Sequence, residues 1–214
     1  MDKKKTIQVY IDLMRPNGME IGLNYSQGTT FKDFHKHLDI NQWGITAQIK
    51  FSQPFRLWLA GNYTDLDYET KEMGDKYGVP IIAAPSDNLE FEEANIHRDF
   101  WSVSMGLQYN FRPSKQWQPF IGAGYGFSNL TQNKIQYEFK EDRMGGNQSL
   151  SINEQVIYDN GKNLPLAVFK GGLSYNLTKK WRLQLEGEYL YRIADFNNQM
   201  PNILSGRLGI LYSF

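Results

Sequence analysis

The chain has 214 residues, about the size of one domain. Its 23 Lys+Arg balance 23 Asp+Glu, so it lacks the basic excess a nucleic-acid binder needs, and no nucleic-acid partner is expected. No run of about 18 apolar residues exists, and mean hydropathy is −0.55, which excludes a helical membrane span. Aromatics make up 14% of the chain, too many for a disordered one. Cysteine is absent, which removes disulfides, thiolate metal sites and thiol nucleophiles, and no cofactor is expected.

The first residues, Met1–Met14, carry three lysines like a secretory n-region. Gln8, Tyr10 and Asp12 then interrupt the apolar stretch that should follow, so the segment reads as a mature start. Ile7, Val9, Ile11 and Leu13 alternate, and Arg15-Pro16-Asn17-Gly18 forms a turn. Residues 1–17 are therefore expected to be a short segment outside the main fold, and 18–214 the fold itself.

From Met19 onward a period of two dominates. The segments are Met19–Tyr25, Trp43–Phe51, Phe55–Tyr63, Trp101–Phe111, Ile121–Phe127, Ala167–Leu177, Trp181–Ile193 and Leu204–Phe214. One face of these segments is apolar throughout, broken only by Gly61, Gly171, Gly187 and Gly206. The other face is polar and glycine-rich, and its apolar members are Trp58, Ala60, Val168, Leu190 and Leu211.

Alternation alone does not say which face is inside. The interior of an eight-stranded barrel has room for side chains or one small ligand. The aromatics of the apolar face are too bulky for it. Glycine weakens an exposed strand but relieves a crowded interior. The apolar face is therefore expected to point outward, into lipid. A soluble two-sheet sandwich is the alternative; it would have to bury every apolar position and tolerate the glycines on wet strands.

The connections agree with a membrane barrel. Ser52-Gln53-Pro54, Arg112–Pro119 and Thr178–Lys180 are short, whereas 27–42, 64–100, 128–166 and 194–203 are long. Phe51, Phe55, Tyr109, Phe111, Tyr175, Trp181, Tyr212 and Phe214 gather near the short turns. Tyr25, Trp43, Tyr63, Trp101, Phe127, Tyr189 and Tyr191 gather near the long loops, as two interfacial girdles would.

The phrases WGITAQIKFSQPFRLWLAGNYT, PFIGAGYGF and FKGGLSYNLTKKWRLQLEGEYLY, together with the closing Gly206–Phe214, resemble the small outer-membrane barrels of the OmpA/OmpX/OmpW-like superfamily. The resemblance implies an all-β fold, an eight-stranded antiparallel up-and-down transmembrane barrel in the outer membrane of a Gram-negative bacterium, with both termini in the periplasm. It also implies that Leu208, Ile210, Tyr212 and Phe214 form the signal read by the barrel-assembly machinery. Outer-membrane lipid and lipopolysaccharide would surround the barrel. The fold hosts structural, adhesive, transport and enzymatic members and does not by itself name a function.

Candidate chemistry falls in three places. Glu20, Lys50, Arg56, Lys170, Arg182, Glu186, Glu188, Arg192 and Arg207 lie on the inward face. They form either a salt-bridged plug or the lining of a gated pore or inward ligand site. His35 and His37, beside Asp33 and Asp39, form either a loop metal site or a solvated loop. The histidines lack the His-x-Ser-Asn phrase of lipid A deacylases, which weighs against an enzyme. In the third outer connection Ile135, Tyr137 and Phe139 alternate, Gly145-Gly146-Asn147 turns, and Leu150, Ile152, Val156 and Tyr158 continue. That reads as a hairpin extending the fifth and sixth strands. The apolar run Val79–Pro85 either caps the barrel mouth or meets another protein.

The leading expectation is a non-enzymatic barrel with a structural or surface-binding role through long outer loops, possibly within a larger outer-membrane complex. A protein partner would dock at those loops or at the N-terminal strand. The alternatives are an OmpW-like channel for small solutes and a lipid A-modifying barrel enzyme.

Overall fold

The computed structural model describes residues 18–30, 38–51, 54–74, 79–84, 89–141, 149–155, 163–193 and 202–214. The N-terminal alternation at 6–13, the His35/His37 pair, the Gly145–Asn147 turn, Val156 and Tyr158 lie outside the described residues.

The strands are β1 (Gly18–Thr30), β2 (Leu38–Lys50), β3 (Phe55–Thr70), β4 (Leu89–Asn110), β5 (Trp117–Glu141), β6 (Ser149–Gln155), β7 (Leu164–Asn176), β8 (Trp181–Arg192) and β9 (Ile203–Ser213). Eight of them close a ring in which β1 to β5 pair in sequence, β5 pairs with β7, and β7 to β9 return to β1. All these pairings are antiparallel. Closure at β1–β9 removes the exposed edges an open sheet would leave in hydrocarbon. The short turns are tied by their own backbone; Leu177 N–H donates to Trp181 O at 3.0 Å, and Lys180 and Trp181 N–H donate to Thr178 Oγ1 at 3.1 and 3.0 Å.

Neighbouring residues on one strand settle the facing. Leu107 is 56% exposed on the outer wall, while Gln108 is 0% exposed in the lumen. The exterior is an apolar band bounded by ring-to-ring contacts. Phe55–Tyr109, Trp117–Tyr175 and Trp181–Tyr212 pair near the short turns, and Tyr25–Trp43, Tyr63–Trp101 and Tyr189–Tyr191 near the other end. Trp117 and Tyr125 join the girdles read from the sequence.

Several strands run past their expected ends: β1 continues to Thr30 rather than Tyr25 and β2 begins at Leu38 rather than Trp43, and three go furthest. β3 continues to Thr70, β4 begins at Leu89 rather than Trp101, and β5 reaches Glu141 rather than Phe127. A tilted strand needs about 9–11 residues to cross the hydrocarbon. With 22 residues in β4 and 25 in β5, a tall wall stands beyond the far girdle. There the polarity inverts. Asp65, Asp67 and Glu69 now point outward, and Leu66 and Tyr68 inward. On β4, Ile96 and Phe100 turn inward while His97 faces out. Past the girdle the outside is water, so apolar side chains are stable only within the wall.

On β5 a bulge helps the inversion. Asp99 pairs with Gln132 and Phe100 with Leu130, leaving Thr131 as the extra residue. One extra residue exchanges the two faces of a strand. Leu130 therefore points inward before the bulge, and Asn133, Ile135, Tyr137 and Phe139 point inward after it. The third outer connection does return as a strand, but as the separate β6, which pairs with Lys134–Lys140 of β5 outside the ring. The fifth strand is extended by it; the sixth barrel strand, β7, begins only at Leu164.

Candidate functional site

The lumen is built in two layers. Inward-facing residues of the membrane band carry the charges, because the alternating pattern leaves the lumen as the one place outside hydrocarbon. Near the short turns, Glu20 receives Lys50 at 2.6 Å and Arg56 at 2.7 Å, and it also pairs with Arg182. Arg56 further donates to Gln118 at 2.9 Å, and Arg182 to Gln48 at 2.7 Å. Higher up, Glu186 lies 3.3 Å from Arg207 and 3.8 Å from Lys170, and Glu188 pairs with Arg207. Gln48 and Gln184 link the two groups, Gln48 donating to Gln184 at 3.2 Å and Gln184 to Glu186 at 2.5 Å. Arg192 lies half-buried at the far end of β8, where its backbone N–H donates to Asn202 at 2.9 Å. A small void of about 10 Å³, room for a single water, lies beside the upper group among Gln48, Gln184, Glu186 and Arg207. A wider vestibule of about 220 Å³ opens beneath Glu20, among Lys50, Arg56 and Arg182 at the short-turn end.

Above these charges sits a mostly apolar layer that also buries Arg98, which donates to Asn133 at 2.8 Å. Leu66, Ile96, Phe100, Ile135, Tyr137 and Phe139 are buried with Leu164, Leu166, Val168, Leu190 and Ile203 in one cluster. Val79 is 0% exposed within it, and Ile82 packs against its edge. Tyr137 Oη donates to Pro80 O at 3.2 Å, and Gly74 N–H donates to Val79 O at 2.6 Å. The Val79–Pro85 run thus caps the mouth through its first residues, while Ile81 is 77% exposed. Pro85 lies outside the described residues. Most of this layer was missed in the sequence because the alternation was followed only where the apolar residues face lipid. The inverted alternation at 65–70 was the available signal.

His97 belongs to strand β4 rather than to a loop. Its direct cross-strand partner is Asp67, and Asp99 faces Asp65. The four side chains form a square on the outer wall immediately beyond the Tyr63–Trp101 pair. Burial, then the neighbouring Asp67 carboxylate, pushes the Asp65 carboxyl above the usual range; His97 opposes the shift and Asp99 adds to it. The Asp-x-Asp and His-x-Asp spacings were visible in the sequence; their register was not.

Leu208 and Ile210 lie on the outer wall of β9, and Tyr212 contacts both Trp181 and Phe214 in the girdle.

Residues 15–214 match the family model described as outer membrane protein beta-barrel domain. Among solved structures, the chain is similar to the outer membrane protein OprG from Pseudomonas aeruginosa, at 11% identity and a TM-score of 0.53, over 94% of this chain and 98% of that one. It is also similar to Neisserial surface protein A, at 15% identity and 0.47 over 92% and 96%. The attachment invasion locus protein Ail of Yersinia pestis gives 13% and 0.43 over 92% and 97%. No sequence match to a curated protein is found. At such identities the likeness to OprG speaks for the fold alone.

Proposed function

Since the chain belongs to the outer membrane protein β-barrel family of Gram-negative bacteria, we propose that it is a non-enzymatic, non-conducting barrel that serves at the cell surface. Its short turns and both termini would face the periplasm, and the tall wall of β3, β4 and β5 would face outward, following the usual asymmetry of turns and loops. Lipid and lipopolysaccharide would surround the apolar band. Leu208, Ile210, Tyr212 and Phe214 would be read by the barrel-assembly machinery.

One observation carries the reading: the lumen is filled twice over. Two ion-paired groups cross the bore and are tied together through Gln48 and Gln184. Beyond them lies the apolar layer around Phe100 and Tyr137. A solute would have to break buried ion pairs, at several kcal/mol each, and then pass a packed, mostly apolar layer. With the bore closed, the accessible chemistry is that of the wall, which carries polar side chains such as Glu69, Asn95, Glu138 and Lys140 outward. This fits a support or contact surface for a surface ligand or a neighbouring membrane protein.

Planar-bilayer recording of the purified barrel tests the closed bore. No conductance steps above the lipid baseline are expected; discrete steps would replace this reading with the solute channel. Lipid A mass spectra from cells with and without the protein should show the same acyl pattern, and a difference would make it an enzyme. The natural absence of cysteine permits a third check. A photo-cross-linker on Glu138→Cys should give a defined adduct in intact cells, and its absence would leave the wall without a partner.

A further inference from the structure

We infer that Asp65, His97 and Asp99 form a binding site for a zinc-class divalent ion on the outer wall of the barrel, at the level just beyond the far aromatic girdle. It is distinct from the His35/His37 loop pair and from the lumen.

The donor atoms are held by neighbours that are not themselves donors. Asp67 Oδ1 lies 2.7 Å from His97 Nδ1. A carboxylate only accepts, so the Nδ1–H donates to Asp67, and Nε2 is the ring nitrogen turned toward Asp99. The Gln132 amide, turned so that its nitrogen donates to Asp99 Oδ2 at 3.0 Å, takes up one oxygen of that carboxylate. What remains is Nε2 facing Asp99 Oδ1 at 3.6 Å. A carboxylate holding the far nitrogen of a ligating imidazole is the usual support of a metal-bound histidine.

Asp99 supplies a second observation. Its side chain is 9% exposed, and Oδ1 has no hydrogen-bond partner. Asp65 Oδ1 is likewise shielded from water without a hydrogen bond, 3.4 Å from His97 Nδ1 on the Asp67 side of the ring. Asp65 and Asp99 are direct cross-strand partners, a placement that is unfavourable for like charges unless a cation lies between them. The nearest lysine on the adjoining strand, Lys134, instead donates to the Gln132 side-chain oxygen at 2.7 Å.

The spacing suits a shared ion. One donor atom from each residue lies within 4.8 Å of the others. Two bonds of about 2.1 Å at a tetrahedral angle place their donor atoms roughly 3.4 Å apart. The 3.6 Å between His97 Nε2 and Asp99 Oδ1 is too long for a good hydrogen bond and close to that value. One imidazole with two carboxylates favours zinc, cobalt or nickel over calcium, which takes six to eight oxygens. Three protein ligands leave a fourth position open to water.

The test uses the full-length, untagged barrel folded in a non-ionic, phosphate-free detergent. Cobalt(II) should bind one to one with visible d–d absorption, and zinc should displace it. His97→Ala and Asp99→Asn should each weaken binding at least tenfold, and Asp67→Asn by a smaller factor. Joint replacement of His35 and His37 by Ala should leave the affinity unchanged. Folding of each variant is checked by heat-modifiable gel migration. If a variant fails to fold, imidazole nitrogen NMR of the unaltered protein reads the same site: zinc should shift the His97 Nε2 resonance. Equal affinity in His97→Ala, loss confined to the His35/His37 variant, or a doubly protonated His97 indifferent to zinc would each overturn the inference.

Discussion

Lys170 places its ammonium nitrogen 4.3 Å from the centre of the Trp58 ring, in the middle of the bore. The largest side chain in the lumen therefore lies beside a buried cation, and room for it comes from Gly106 and Gly124, which face one another across β4 and β5. A Cβ on Gly106 would lie 2.3 Å from Ala123 O and 2.7 Å from the Trp58 ring. Gly106→Ala should destabilise the barrel by about 1–3 kcal/mol through overpacking. Gly206→Ala, with nothing within 4 Å of its Cβ, should be neutral or stabilising by about 0.4–1 kcal/mol. Urea unfolding in lipid or detergent checks the pair, and equal effects would contradict the packing around Trp58.

The facing of the wall predicts a second contrast. Leu107→Arg places a charge on the lipid side and should cost about 2–4 kcal/mol near the midplane. Gln108→Ala, one residue on but in the lumen, should matter much less. Folding yield into vesicles measures both, and comparable damage would reverse the assigned faces.

Glu20 is the one carboxylate shared by Lys50, Arg56 and Arg182. Glu20→Gln leaves buried guanidinium groups without their counter-charge and should destabilise by about 3–5 kcal/mol. Lys50→Met should cost less, because Lys50 keeps 28% of its side chain exposed at the vestibule. Unfolding free energies of the two variants decide the order.

Phe100 anchors the apolar layer and is 0% exposed. Phe100→Ala should cost about 3–5 kcal/mol. The loss should appear first in the wall, as faster amide exchange in Ile96, Ile135 and Tyr137, while the lumen strands β8 and β9 stay protected. Uniform exchange across the barrel would mean that the two layers unfold as one.

The amino-acid sequence by itself determined the membrane strands and their facing. Hydrocarbon tolerates no alternative to apolar side chains outside, so a period of two carries both facts in Trp101–Phe111 or Trp181–Ile193. The same rule carried the polar residues of the lumen. Which cation meets which carboxylate was decided only by the closed ring, since Arg182 reaches Glu20 and Gln48 through closure at β1–β9. The wall beyond the girdle was legible only in part, because its alternation has the opposite sign and the Thr131 bulge exchanges the faces of β5 midway. The His97 site needed the register of β3 on β4: nothing local to Asp65 indicates that Asp99 lies opposite it, because pairing of distant strands is fixed by the turns and the bulge, not by the residues that meet.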